Sequence, residues 1–110
     1  MAPGKQTVLS EALNRLWIQF LPQMEERVRA LESAGAALAA GTLTVDQRSE
    51  AHAAAHKLAG VLGTFGLTRG TVLARELETM YSRRNDSEAS LAERFSSITA
   101  EIRAIIASRK

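Results

Sequence analysis

The sequence contains no cysteine, which excludes disulfides, thiolate nucleophiles, cysteine-ligated zinc and iron–sulfur clusters. Aromatic residues make up only 5% of the chain and none is interleaved with a Lys/Arg run, so the stacking platforms that hold single-stranded nucleic acid are missing. No apolar stretch reaches the roughly 18 residues of a membrane span, and the opening Met-Ala-Pro-Gly-Lys-Gln lacks an apolar signal core. No membrane insertion and a cytoplasmic location are expected. Charge of one sign is also scarce: 14 basic residues against 12 acidic ones leave a net charge of +2. That field is too weak to argue for a nucleic-acid partner, and the basic residues read as solvated helix faces.

What is present points to a packed helical domain. A chain of 110 residues that is 45% apolar and 24% charged is the size of one domain with one modest core. Proline occurs only at Pro3 and Pro22, alanine is abundant, and β-branched residues are too scattered to build alternating strands. The expected fold class is all-α, an antiparallel four-helix bundle spanning residues 7–110, with residues 1–6 as a flexible tail.

The first helical stretch is expected from about Leu9 to Ala40, with Leu13, Leu16, Trp17, Phe20, Leu21, Met24, Val28 and Leu31 on its apolar side. Pro22 is expected to kink or split it. Gly41 supplies a stop, and Thr44 with Gln47 reads as a capping box for a second helix reaching about Gly66. Thr68 is a candidate N-cap for a third helix ending near Tyr81, and Asp86 or Ser87 for a fourth. The fourth carries one buried stripe, Leu91, Phe95, Ile98, Ile102, Ile105 and Ile106.

The second helix holds the most informative segment, Ala55-His56-Lys57-Leu58-Ala59-Gly60-Val61-Leu62-Gly63-Thr64-Phe65-Gly66. Each glycine inside a helix costs roughly 0.5–1 kcal/mol relative to alanine, so something should compensate. At about 100° per residue, Gly60 lies about 40° from His56 around the axis, Gly63 about 20° to the other side and Gly66 about 80° away. Leu58, Val61, Leu62 and Phe65 fall roughly opposite and form the face expected to pack into the bundle. His56 is therefore expected to point outward above a strip without side chains, the arrangement that lets another protein bring a reactive group to its imidazole.

With these residues the sequence resembles the histidine-containing phosphotransfer (HPt) domain family of multistep two-component signalling. The family pattern is a histidine, a hydrophobic residue at +2, Gly at +4, small residues at +7, Gly at +10, and a following helix ending in Leu-Glu. This chain supplies His56, Leu58, Gly60, Gly63 and Gly66, then Leu67, Leu73, Leu77 and Glu78. It departs at Ala59, where the family commonly has Lys; Lys57 is a cation at +1, about 100° around the helix.

The resemblance implies a phosphoryl carrier without independent catalytic turnover. His56 would accept the phosphoryl group from a receiver-domain aspartate through Nε2 and pass it to another receiver. The partners implied are response-regulator receiver domains and a hybrid histidine kinase. Mg²⁺ would belong to the receiver, with no cofactor on this chain. Glu78 falls where the family places a polar residue near the histidine, and would accept a hydrogen bond from Nδ1 and fix the tautomer. His52, Lys57, Ala59, Gly60 and Gly63 complete the expected binding face, with Val61, Leu62 and Thr64 as candidate edges of an apolar docking patch. Lys57, Arg48, Arg69 and Arg75 are candidates to steer an acidic receiver or screen phosphate charge.

Two other readings remain at this point. A helical adaptor could keep the docking face without being phosphorylated, an option the Ala59 position leaves open. His52 and His56, four residues apart on one stripe, could instead anchor a small metal site completed by carboxylates. His-Ala-Ala-Ala-His lacks the internal Glu of the zinc-protease motif, and no metal ligand is assigned.

Overall fold

The computed structural model describes the backbone of residues 3–82 and 88–109 and the side chains of residues 9–82 and 91–109. These residues form four helices: α1 (Pro3–Ala39), α2 (Val45–Thr64), α3 (Thr68–Ser82) and α4 (Glu88–Ser108). No strand occurs among them. Helices α1 and α3 each pack against both α2 and α4, the arrangement of a four-helix bundle. The candidate caps Asp86 and Ser87 lie outside the described residues.

Local chemistry sets the helix ends. The capping box forms as the sequence predicts: Gln47 N–H donates to Thr44 Oγ1 at 3.0 Å and Thr44 N–H donates to Gln47 Oε1 at 2.9 Å. Two glycines terminate helices in the left-handed region, Gly41 at φ 72° and Gly66 at φ 73°. Behind each runs a pair of backbone bonds, Thr42 N to Ala37 O and Gly41 N to Leu38 O, then Leu67 N to Leu62 O and Gly66 N to Gly63 O. That pairing is the Schellman ending, and it satisfies carbonyls the helix leaves open. Gly66 therefore does not belong to the exposed helical strip, as its spacing suggested. It stops α2 at Thr64 and turns the chain into α3.

Helix α1 starts earlier than expected, and of the kink or split expected at Pro22 the split does not occur. It begins at Pro3, so residues 3–6 are helical, and it runs unsplit through Pro22. Proline fits the first turn because the missing N–H has no intrahelical partner there. Pro22 faces solvent while Trp17 and Met24 on either side are buried. Packing thus holds both halves in place across the lost hydrogen bond.

At 37 residues α1 is far longer than its neighbours, and the bundle ends around its Trp17. Phe65, at the end of α2, meets that indole edge-on at 5.1 Å, and the Arg109 guanidinium stands over the same ring at 4.7 Å. Leu13 and Leu16, expected in the core, lie beyond this point and are 39% and 41% exposed.

The core is built from Met24, Val28, Leu31 and Leu38 of α1, Leu58 and Leu62 of α2, Leu73, Leu77 and Tyr81 of α3, and Phe95, Ile98, Ile102 and Ile106 of α4. Burying one such side chain stabilises the fold by about 1.5–3 kcal/mol. Between its leucines α2 presents Ala51, Ala54, Ala55 and Ala59, all buried, so the neighbouring helices meet small side chains there. Gly70 of α3 does the same from the other side: a Cβ there would lie 3.0 Å from Leu62 Cδ1. Tyr81 stacks on Phe95 at 4.2 Å between ring centres, and burial pushes its hydroxyl pKa up to about 12 against the opposing charge of Arg48.

Candidate functional site

The close packing of α2 on α3 determines what stands beside His56. Thr71 Oγ1 of α3 donates to the Ala59 carbonyl of α2 at 3.2 Å, and seven residues further along α3 Glu78 meets His56. Rising numbers on α3 thus face falling numbers on α2, an antiparallel pair pinned by a buried glycine contact and a cross-helix hydrogen bond.

The His56 side chain is 71% exposed and its Nδ1 lies 2.9 Å from Glu78 Oε2. A carboxylate only accepts, so Nδ1 carries the hydrogen and donates it, which leaves the Nε2 lone pair free in the neutral ring. Glu78 is 26% exposed and its carboxylate is shared: His52 Nε2 lies 3.9 Å from the same Oε2. At that distance His52 makes no hydrogen bond, and it sits as a half-exposed flank.

These groups open onto a cleft of about 510 Å³ lined by His52, His56, Ala59, Gly60, Arg75, Glu78, Thr79 and Ser82. The two helical glycines differ in their surroundings. A Cβ at Gly60 would meet nothing within 4 Å, whereas one at Gly63 would lie 3.4 Å from Thr71 Oγ1. Gly60 is the open floor beside the imidazole, and Gly63 also belongs partly to the α2–α3 contact.

Other expected members are more buried than expected, lie outside the cleft or are held by other partners. Ala59 is only 4% exposed and Leu62 is fully buried, so neither forms the edge of an apolar docking patch. Val61 is half-buried and Thr64 exposed. Lys57 is exposed and does not line the cleft. Arg69 is committed to α4, with its Nε 2.7 Å from Glu101 Oε2, and Arg48 donates to the Tyr81 carbonyl at 3.4 Å. The Arg69–Glu101 pair holds the glutamate below its usual range and the arginine above, chiefly through their hydrogen bond.

Sequence reading passed over Thr71, Thr79 and Ser82. Ser82 lies four residues after Glu78 and so on the same helix face, a signal present in the spacing, whereas Thr79 at the next position is about 100° round the axis and has none. The contact of Thr71 with the second helix had no local signal.

For a metal the geometry is poor: His52 and His56 both turn towards one carboxylate oxygen, and no set of three ligating side chains among the described residues is disposed to hold an ion. What the site offers is a solvent-facing imidazole nitrogen of fixed tautomer over a bare stretch of helix.

The profile of the Hpt domain family matches residues 15–108. The chain belongs to the Hpt domain family. The match takes in α2, α3 and α4 whole, together with α1 from just before Trp17, where the bundle begins. A curated relative, Protein RcaC of Microchaete diplosiphon, is 41% identical over 66 residues, which is 60% of this chain and 10% of that protein. The Hpt chain thus aligns with about a tenth of the relative's length. No solved structure matches it. Two-component phosphorelay signalling is the setting of this family, and four packed helices with no membrane-crossing segment among the described residues agree with an Hpt bundle.

Proposed function

We propose that the chain is a phosphoryl carrier that takes a phosphoryl group from a receiver-domain aspartate onto His56 and gives it to the aspartate of another receiver. The observation that carries this reading is the exposed His56 imidazole, hydrogen-bonded through Nδ1 to Glu78, beside the open surface at Gly60. Its support is membership of the Hpt domain family.

The chemistry follows from the tautomer. The Nε2 lone pair attacks phosphorus as the bond from phosphorus to the aspartyl oxygen breaks, and that electron pair leaves with the receiver carboxylate. No proton need move, because Nδ1 keeps its hydrogen and the phosphorylated ring becomes a cation beside the Glu78 carboxylate. The same path run backwards delivers the group to a second receiver. Positioning and charge neutralisation dominate phosphoryl transfer, so an acidic site with Mg²⁺ on the receiver completes the arrangement and this chain needs no cofactor of its own. A carrier of this kind has no turnover in isolation. A receiver of a hybrid histidine kinase is a natural donor.

The test is incubation of the purified chain with a panel of radiolabelled phospho-receivers. Label should move onto the chain in acid-labile form, persist in His52→Ala and vanish in His56→Gln. Acid-stable label, or label retained in His56→Gln, overturns the assignment. Receiver binding with no transfer from any panel member would point to the adaptor reading.

A further inference from the structure

Phosphorylation places nearly two negative charges next to a glutamate, and the cleft must answer them. Helix α2 does not supply the cation at position 59, where a buried Ala59 stands. Among the arginines near the α2–α3 pair, Arg69 is held by Glu101, Arg94 by Glu76, and Arg48 by the Tyr81 carbonyl. Arg75 is exposed, lines the His56 cleft, and its guanidinium makes no ion pair with any described residue.

Its register is informative. On α3 it lies between Thr71, which bonds to Ala59, and Glu78, which bonds to His56. In an antiparallel pair that puts it across from the stretch between His56 and Ala59, and it lines one cleft with them and with Gly60, whose floor no side chain covers.

We infer that Arg75 is the phosphoryl-binding residue of this domain, reaching from α3 over the cleft to the phosphoryl oxygens on His56 and supplying from the neighbouring helix the positive charge that α2 lacks. The inference rests on the proposed carrier function. A guanidinium suits the task because its planar fork presents paired N–H donors to phosphate oxygens, while the open Gly60 surface leaves the path free. Arg75 then has two consequences. It favours the phosphorylated chain over the phosphorylated receiver, and it eases removal of the second phosphoryl proton by stabilising the dianion.

The experiment uses the full chain, phosphorylated with phosphoramidate so that no receiver is required, and follows the phosphohistidine signal by ³¹P NMR across pH in wild type, Arg75→Ala and Arg75→Lys. The transfer equilibrium with one phospho-receiver is measured alongside. Arg75→Ala should raise the pH at which the phosphoryl group titrates and shift the transfer equilibrium towards the receiver by about three- to fivefold, the range of a solvent-screened pair. Arg75→Lys should restore most of both effects, and the Arg75 effect should shrink in roughly 1 M salt, where charges are screened within about 3 Å. Because Arg75 is exposed, its variants should melt with wild type.

An unchanged phosphoryl titration and equilibrium in Arg75→Ala, with phosphohistidine still formed, overturns the inference and leaves the carrier function standing. Absence of any phosphohistidine on wild type overturns both.

Discussion

The two faces of α2 are built on opposite principles although they share one helix. Inward, Ala51, Ala55, Leu58 and Leu62 are almost completely excluded from solvent, each in contact with the other helices. Outward, His56, Lys57, Gly60 and Gly63 are exposed, and at Gly60 even a methyl group would touch nothing. A side chain removed from the inner face leaves a void, whereas one added at Gly60 fills only solvent. The inner face therefore answers to stability and the outer face to what a partner must reach. The proposed chemistry depends on their separation, since the reactive imidazole contributes little to the fold.

The largest effect that sharpens this contrast belongs to Leu58, fully buried two residues after His56. Truncation to alanine removes buried methyl groups and leaves a cavity that close-packed neighbours fill only in part. Leu58→Ala should lower unfolding free energy by about 2–5 kcal/mol in urea titration, while the fraction still folded accepts phosphoryl groups normally. A stable variant that no longer accepts them would break the division between faces.

A middle-sized effect belongs to Gly70, the inner counterpart of Gly60. Its added Cβ would stand 3.0 Å from Leu62 Cδ1 and 3.6 Å from Ile105 Cγ2, inside the junction of α3 with α2 and α4. Gly70→Ala gains helix propensity but must push a fully buried leucine aside, and overpacking of this kind costs about 1–3 kcal/mol. Thermal melting should therefore fall for this glycine-to-alanine change. A rise in melting temperature would mean that Leu62 relaxes at no cost and that Gly70 is not a packing requirement.

Much of this arrangement was legible from local pattern. The Thr44–Gln47 box, the four helical segments and the α4 stripe around Phe95, Ile98 and Ile102 each depend on residues close in sequence, and they appear as expected. What escaped was non-local. Periodicity marks Leu13 and Leu16 as one apolar side of α1, yet only the lengths of the other helices decide that the bundle stops near Trp17. Ala59 lies close to the imidazole around the helix, but its side is covered because α3 approaches through Gly70 and Thr71. Gly66 shares the spacing of the helical glycines, and its positive φ shows that the same residue type was used to end the helix. Arg69 and Arg75 read alike in the sequence. A glutamate 32 residues away occupies one of them, and the other opens onto the cleft.

The smallest effect tests the outer face most directly. Gly60 lies inside α2 with ordinary helical backbone, since only Gly41 and Gly66 take positive φ, and its missing Cβ has open space around it. Alanine there restricts the unfolded chain and improves helix propensity, so Gly60→Ala should raise unfolding free energy by about 0.4–1 kcal/mol. The same methyl group stands on the floor of the cleft lined by His56 and Arg75, where a receiver must approach. Transfer from a phospho-receiver should therefore slow even as the protein becomes more stable, and Gly60→Gln should slow it further. Phosphorylation by the much smaller phosphoramidate should be less affected, because it needs no flat docking surface. Comparing the two donors locates the penalty: equal slowing with both places it at the imidazole itself, whereas a loss confined to the receiver places it in docking. If Gly60→Ala is stabilised and transfers at the wild-type rate, the bare strip is not an adaptation to partner approach, and the cost of a glycine within α2 requires another explanation.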